Sequence, residues 1–311
     1  MITEIVRNNK ALLKKVQELE PKVGNTPLLP LHHIFRKKNV QLYAKQEWKQ
    51  LSGSVKCRPA YQIIKDAILN YELDEDTTLL DATSGNTGIA YAAIGKELGI
   101  KVTLCLPENA SKERKQILLS LGAEIIFTSK FEGTDGAQQV ARQLAAAEPE
   151  KYFYADQYRN ENNWKAHYET TAPEIYNALP TVTHFVAGLG TTGTFVGTSR
   201  RLKELNPAIR LISLQPDSAL HALEGWKHLD TAQVPGIYDD KVADKNIEVS
   251  TEEAYEYLKA ILKYEGWFVS PSAAANVAGA IKVAEQLESG VVVTVLPDNA
   301  DKYGDIIKQI L

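Results

Sequence analysis

The sequence predicts an α/β protein: two open α/β domains with mainly parallel sheets and a cleft between them. Three observations carry that expectation. From residue 78 onward, short apolar strands alternate with helical patterns, the mark of successive βαβ units. The strands are almost continuously apolar, as when helices cover both faces of a sheet. The alternation runs in two series, and 311 residues are enough for two cores.

The elements follow in order. Residues 1–22 set Ile5, Leu12, Val16 and Leu19 at helical spacing among charges of mixed sign. That reads as a surface helix packing on the body or on a partner subunit, not as a targeting segment. Ala60, Ile63, Ile64, Ala67 and Ile68 form the next apolar stripe, a helix beginning at or just after Lys56. Strands are expected at 78–82, 101–106, 123–127 and 152–155, with helices at 89–98, 112–121 and 133–147 between them. Gly122 ends the helix before the third strand. A second series places strands at 184–187, 210–214 and 291–296, with a helix reaching Leu205 and an Ala-rich helix from Ala273. The expected division is a smaller domain of residues 35–150 and a larger one of residues 1–34 plus 151–311.

Composition narrows the function. Lys plus Arg number 35 against 39 Asp plus Glu, a net charge of −4, whereas a duplex nucleic-acid binder ordinarily carries a basic surface. No stretch approaches the roughly 20 apolar residues of a membrane span, so neither a nucleic acid nor a membrane is expected as partner. Cys57 and Cys105 are the only cysteines, too few for a disulfide framework or a cysteine-based zinc site. None of the six histidines makes a helical metal pair, and no metal is expected. A cytoplasmic enzyme fits best.

In open α/β sheets the chemistry lies where strands run into helices, and three such loops stand out. Thr83-Ser84-Gly85-Asn86-Thr87-Gly88 offers N–H groups, hydroxyls and an amide to an anion such as a carboxylate. A tight turn with an N-cap would explain one hydroxyl and one glycine of the six, not all. Gly188-Leu189-Gly190-Thr191-Thr192-Gly193-Thr194 is a formal Gly-x-Gly-x-x-Gly without a basic residue. A phosphate there would rest on N–H groups, threonine hydroxyls and the helix dipole. Ser270-Pro271-Ser272 precedes the Ala-rich helix, and Ser272 reads either as its N-cap or as a functional hydroxyl. Lys56 sits in Ser52-Gly53-Ser54-Val55-Lys56-Cys57-Arg58-Pro59-Ala60, at a helix start where dipole and burial favour the neutral, nucleophilic amine.

These motifs in this order resemble the pyridoxal-phosphate enzymes of the cysteine synthase and cystathionine β-synthase group, fold type II, tryptophan synthase β-like. Gly24-Asn25-Thr26-Pro27-Leu28, the Lys56 segment, residues 83–88, Gln157 with His167 and Tyr168, residues 190–194, Ser272 and Leu296-Pro297-Asp298 carry the resemblance nearly end to end. The wording of residues 106–109 and 183–194 is most like the cysteine synthase B branch. Departures occur at Gln50-Leu51 for Asn-Pro, at Cys57 for Asp, and at Asp298-Asn299-Ala300 for Asp-Ser-Gly.

The resemblance implies a cofactor, pyridoxal 5'-phosphate, bonded to Lys56, with its phosphate on Gly190, Thr191, Thr192, Gly193 and Thr194. Asn86 would meet the ring hydroxyl oxygen and Ser272 the pyridine nitrogen. Thr83, Ser84, Gly85, Thr87 and Gln157 would seat the substrate carboxylate, and Lys56 would move the Cα proton as the catalytic base. It implies β-replacement on O-acetylserine or O-phosphoserine by a sulfur nucleophile, through an aminoacrylate, to give L-cysteine. A hydroxyl at Ser272, unlike a carboxylate, leaves the ring a weaker electron sink, which suits β-elimination over transamination. Substrate choice falls to residues 215–239, where Lys227 is the candidate for leaving-group selectivity and a solvated lysine beside Trp226 is the structural alternative. A homodimer is implied, and a sulfur-carrier protein stays open as donor.

Other readings stand beside this one. A relative using another nucleophile (cystathionine or diaminopropionate type) and a non-catalytic cofactor-binding homologue both fit the motifs. A nicotinamide oxidoreductase would explain residues 188–193 but leaves Lys56 and residues 83–88 unexplained, and that fingerprint ordinarily opens the first βαβ unit. Cys57 beside the lysine is either a packed or a redox-sensitive thiol.

Overall fold

The computed structural model describes residues 2–83 and 85–310, with side chains described from Lys10 onward. In chain order the strands are β1 (Leu28–Pro30), β2 (Val40–Gln46), β3 (Thr78–Ala82), β4 (Lys101–Pro107), β5 (Glu124–Thr128), β6 (Tyr152–Tyr154), β7 (His184–Gly188), β8 (Arg210–Pro216), β9 (Lys245–Val249) and β10 (Gly290–Leu296). The helices are α1 (Ile2–Leu19), α2 (Cys57–Leu69), α3 (Asn86–Leu98), α4 (Lys112–Ser120), α5 (Gly133–Ala147), α6 (Asn162–Ala166), α7 (Ala172–Ala178), α8 (Gly193–Leu205), α9 (Thr251–Glu265), α10 (Pro271–Gln286) and α11 (Gly304–Ile310). The chain divides into two units. Unit 1 is Met1–Val23, Gln50–Ser52 and Lys56–Asn163; unit 2 is Gly24–Lys49, Gly53–Val55 and Trp164–Leu311.

Unit 1 holds a four-stranded sheet in the order β5-β4-β3-β6, parallel throughout. Successive residues of β3 face opposite layers, as the two-residue period of a strand requires. Leu79 packs with Leu12 and Val16 of α1, Ile63 and Ile64 of α2 and Ile94 of α3. Leu80 and Ala82 pack with Ala137 and Ala141 of α5. With both faces covered, all five residues of β3 are buried.

Unit 2 holds a six-stranded sheet in the order β1-β2-β10-β7-β8-β9. Only β1 runs antiparallel, paired with β2; the other pairs are parallel. In β7, Val186 joins the layer formed by α9 and α10, while Phe185 and Ala187 join Phe195 and Leu202 of α8.

The unit boundaries differ from the expected domains. The amino-terminal helix clusters with the smaller unit, because Leu12, Val16 and Leu19 are buried in that unit's core. Residues 35–49 go to the larger unit, because β2 lies between β1 and β10. Residues 151–163 stay with the smaller one, because β6 pairs with β3.

Candidate active site

In unit 1, Lys56 occupies the N-cap of α2, and its carbonyl accepts the Ala60 N–H at 3.1 Å. Cys57 beside it is fully buried, which makes it a packed thiol. Pro59 falls in the first turn, where its missing N–H has no helical partner to lose. The preceding residues belong to unit 2: Val55 N–H bonds to the Pro297 carbonyl at 2.8 Å, Ser54 bridges to Asp298, and Lys302 Nζ donates to the Gly53 carbonyl at 3.0 Å.

The loop after β3 also lies in unit 1. Gly85 caps α3, which places Asn86 and Thr87 in its first turn, where backbone N–H groups and the dipole favour an anion. Thr83 Oγ1 accepts the Gly85 N–H at 3.3 Å. Thr87 Oγ1–H donates to Gln157 Oε1 at 2.6 Å, and Gln157 Nε2 donates to the Ala82 carbonyl at 3.4 Å. The structure therefore brings Thr83, Gly85, Thr87 and Gln157 together across 70 positions of sequence. Ser84 lies outside the described residues.

Behind this loop stands a residue the motifs do not reveal. Asp81 is buried, and its carboxylate accepts the Ala82 N–H at 2.8 Å and the Gln157 N–H at 3.4 Å. Burial pushes its pKa up to about 7; the two backbone N–H groups oppose the rise, and the nearby Asp156 carboxylate adds to it. The alternation of β3 gave a signal, since an acid in an apolar strand is costly unless its partners are built in. Its link to Gln157 was not readable.

In unit 2, β7 runs into the loop that opens α8. A Cβ on Gly188 would lie 2.1 Å from the Trp226 ring, and one on Gly190 would lie 1.8 Å from the Gly225 carbonyl oxygen. Both glycines are required by that close approach. Leu189 is held between β8 and the irregular segment at Lys227, donating to the Leu214 carbonyl and accepting the Lys227 N–H, each at 2.8 Å. Lys227, half-buried, is thus tied through its backbone to this loop. Thr192 adopts the left-handed region at φ 71° and is buried, and its Oγ1 has no hydrogen-bond partner among the described residues. Thr194 Oγ1 lies 3.2 Å from His167 Nε2.

The start of α10 decides between the two readings of Ser272. The N-cap is Ser270, whose hydroxyl accepts the Ala273 N–H at 3.2 Å, with Pro271 at the first helical position. Ser272 is therefore not the cap. It lies inside the first turn, buried, its Oγ 3.2 Å from Ser270 Oγ. One turn on, Asn276 Oδ1 accepts the Gly188 N–H at 2.8 Å. Residues four apart share a helix face, so Ser272 stands on the face that holds the phosphate-loop candidate. Asn276, hidden in an Ala-rich run, was missed because nothing local distinguishes a buried asparagine from a helix-surface one.

Apart from Ser84, each motif has a defined local structure within its own unit, and the chain as a whole is similar to known proteins. The family described as "Pyridoxal-phosphate dependent enzyme" matches residues 19–298. A protein of Aquifex aeolicus named cysteine synthase is 44% identical over 90% of this chain and 88% of its own length. A Bacillus subtilis protein named O-acetylserine dependent cystathionine beta-synthase is 35% identical over 95% of this chain and 97% of its own. The crystal structure of a cysteine synthase from Entamoeba histolytica superposes with a TM-score of 0.86, at 30% identity, over 94% of this chain and 88% of that one. The chain belongs to the pyridoxal-phosphate dependent enzyme family, among relatives that include cysteine synthases.

Proposed function

We propose that this protein makes L-cysteine by replacing the β-substituent of an O-activated L-serine, O-acetylserine or O-phosphoserine, with sulfide, using pyridoxal phosphate. The observation that carries the reading is the loop at Gly190–Thr194. It pairs a buried, unpartnered Thr192 hydroxyl with backbone that no Cβ could enter at Gly190. A polar atom left unsatisfied in this way is costly unless a ligand completes it, and a phosphate oxygen does so. The buried Ser54 Oγ, two residues before Lys56, is likewise without a partner among the described residues. The residues present fit the cofactor.

When bound, pyridoxal phosphate supplies an electron sink for charge developing at the substrate Cα. The protein supplies the rest. Lys56 is the residue that bonds the cofactor. Its Nζ would take the Cα proton as general base and later return it. Thr83, Ser84, Thr87, Gln157 and the N–H groups of the first turn of α3 hold the substrate carboxylate, fixing the Cα–H bond towards the base. Gly85 keeps that approach open, and Asn86 meets the ring hydroxyl oxygen. Thr191 and Gly193 give N–H groups to the phosphate beside the hydroxyls of Thr192 and Thr194. Ser272 offers the pyridine nitrogen a neutral hydroxyl. The leaving group departs as acetate or phosphate, sulfide adds at Cβ, and the balance is one sulfide in and one carboxylate or phosphate out.

The Bacillus relative's name supports a second reading, in which a larger thiol takes the place of sulfide. Lys227, tied to the loop at Leu189, is the residue proposed to favour O-phosphoserine. A homodimer and a cytoplasmic setting complete the proposal; among the described residues no helix is long and apolar enough to cross a membrane, and no cluster of metal-binding side chains occurs.

One assay tests the reading. Purified protein is given O-acetylserine, O-phosphoserine or serine with sulfide or homocysteine, and the thiol-containing product is quantified. Cysteine from an O-activated serine, with a loss on the order of 10²–10⁴-fold in Lys56→Ala, is the expected result. Turnover of none of the three, or an undiminished Lys56→Ala, would overturn it. If Lys227→Ala leaves the ratio of O-phosphoserine to O-acetylserine turnover unchanged, the selectivity role is withdrawn.

A further inference from the structure

Between α6 and α7 the helix widens into a π-helical turn, His167–Thr171, a local irregularity that recurs at functional sites. It brings two side chains of that turn together: His167 Nδ1 and Thr171 Oγ1 are 2.8 Å apart. The other ring nitrogen, Nε2, lies 3.2 Å from Thr194 Oγ1. His167 and Thr171 are both fully buried, and the approach of α8 is close: a Cβ on Gly197 would lie 1.9 Å from the Trp164 carbonyl oxygen and 3.0 Å from His167 Cβ. The imidazole is thus clamped between two hydroxyls, one on its own turn and one at the end of the loop at Gly190–Thr194.

A neutral imidazole has one N–H donor and one acceptor nitrogen, and its partners decide which is which. Two arrangements satisfy the distances. In one, Nδ1–H donates to Thr171, and Thr194 spends its hydrogen on Nε2. The buried Thr171 hydrogen then has no acceptor among the hydrogen bonds of the described residues. In the other, Thr171 O–H donates to Nδ1 and Nε2–H donates to Thr194 Oγ1, so the one hydrogen left over belongs to Thr194, which is half-buried where Thr171 is fully buried. Only the second leaves the Thr194 hydrogen free to point at an anion.

We propose that His167 is a positioning residue for the phosphate loop: held by Thr171 as the Nε2–H tautomer, it turns the Thr194 hydroxyl into a committed donor to the cofactor phosphate. The inference rests on the reading of Gly190–Thr194 as a phosphate site. It gives the buried histidine and threonine of the widened turn a role beyond packing. The ring bonds neither substrate nor cofactor; it acts through Thr194.

The test uses the holoenzyme and reconstituted apoenzyme. With ¹⁵N-labelled histidine, the two ring nitrogens of His167, assigned by their loss in His167→Asn, report the tautomer directly. The Nε2–H form is expected in the wild-type holoenzyme. Affinities for pyridoxal phosphate and for pyridoxal, which lacks the phosphate, are titrated in parallel for wild type, Thr171→Val and Thr171→Ser. Thr171→Val is expected to weaken pyridoxal phosphate about tenfold and pyridoxal hardly at all, while Thr171→Ser retains the wild-type ratio. An Nδ1–H tautomer, or a Thr171→Val protein with undiminished preference for the phosphorylated form, overturns the proposal while the phosphate site stands. Wild-type protein that binds pyridoxal as tightly as pyridoxal phosphate overturns both. The tautomer measurement needs no variant in the site to fold, so a poorly folding Thr171→Val leaves the proposal exposed to refutation.

Discussion

Thr87 and Gln157 reach each other at 2.6 Å although one begins α3 and the other follows β6, and this pairing has a measurable consequence. The Thr87 hydrogen, spent on Gln157 Oε1, fixes the amide so that its second Nε2–H can meet the substrate carboxylate, and a bond to a charged group contributes about 1.5–3 kcal/mol. Thr87→Val is expected to raise KM for the amino-acid substrate about tenfold while the cofactor affinity stays unchanged; both are read from one set of titrations. Asp81, behind the same pair, gives a second prediction. Its pKa is held at about 7, first by burial, so its folded value lies above the unfolded one. The stability it contributes is complete below the ordinary carboxylate range and is lost as pH rises through about 7. Asparagine cannot ionise. Between pH 5 and pH 8 the wild type should lose about 2–3 kcal/mol more than Asp81→Asn, followed by urea unfolding at each pH. Parallel curves would show that Asp81 does not titrate in this window.

The elements show what the chain made legible and why. The strands of both series, and α5 to the residue at 133–147, were readable, because apolar runs bounded by glycine and turn residues leave few alternatives. Strands β1, β2 and β9 were not. Residues 245–249 (KNIEV) carry charge and form the sheet edge, with three of the five exposed, so local pattern does not separate them from loop. The loops that carry chemistry were legible as compositions of glycine and hydroxyl residues, and Gln157 through the resemblance; Asp81 and Asn276 depend on tertiary approach. The start of α10 shows the limit most clearly. Two serines flank Pro271, and only the observed bond from Ala273 N–H to Ser270 Oγ separates cap from functional hydroxyl. Ser270→Ala should destabilise the apoenzyme by about 1 kcal/mol. Ser272→Ala should cost the apoenzyme less than Ser270→Ala does, yet change the absorbance of the bound cofactor. Equal losses of apoenzyme stability in the two variants would remove the distinction drawn between them.

At the scale of the molecule, the proposed cofactor would be a ligand of the native state. A ligand that binds only the folded protein stabilises it in proportion to the logarithm of its saturation, about 2.7 kcal/mol at a hundred times Kd. Holoenzyme should melt a few degrees above apoenzyme in differential scanning calorimetry, and pyridoxal phosphate added back should restore the higher transition. An unchanged transition would mean that the cofactor is not bound by the native state.

The interleaving of the two units along the chain has a consequence for synthesis on the ribosome. Strand β2 ends at Gln46, but its neighbour β10 begins only at Gly290. At about 5–20 residues per second, the nascent strand waits on the order of tens of seconds for the segment that will flank it. Meanwhile the stretch up to Asn163 already contains every strand of the four-stranded sheet. The emerging polypeptide can therefore complete its first lobe around a tether of unfinished second lobe, and for that interval an apolar strand edge is open to capture by chaperones.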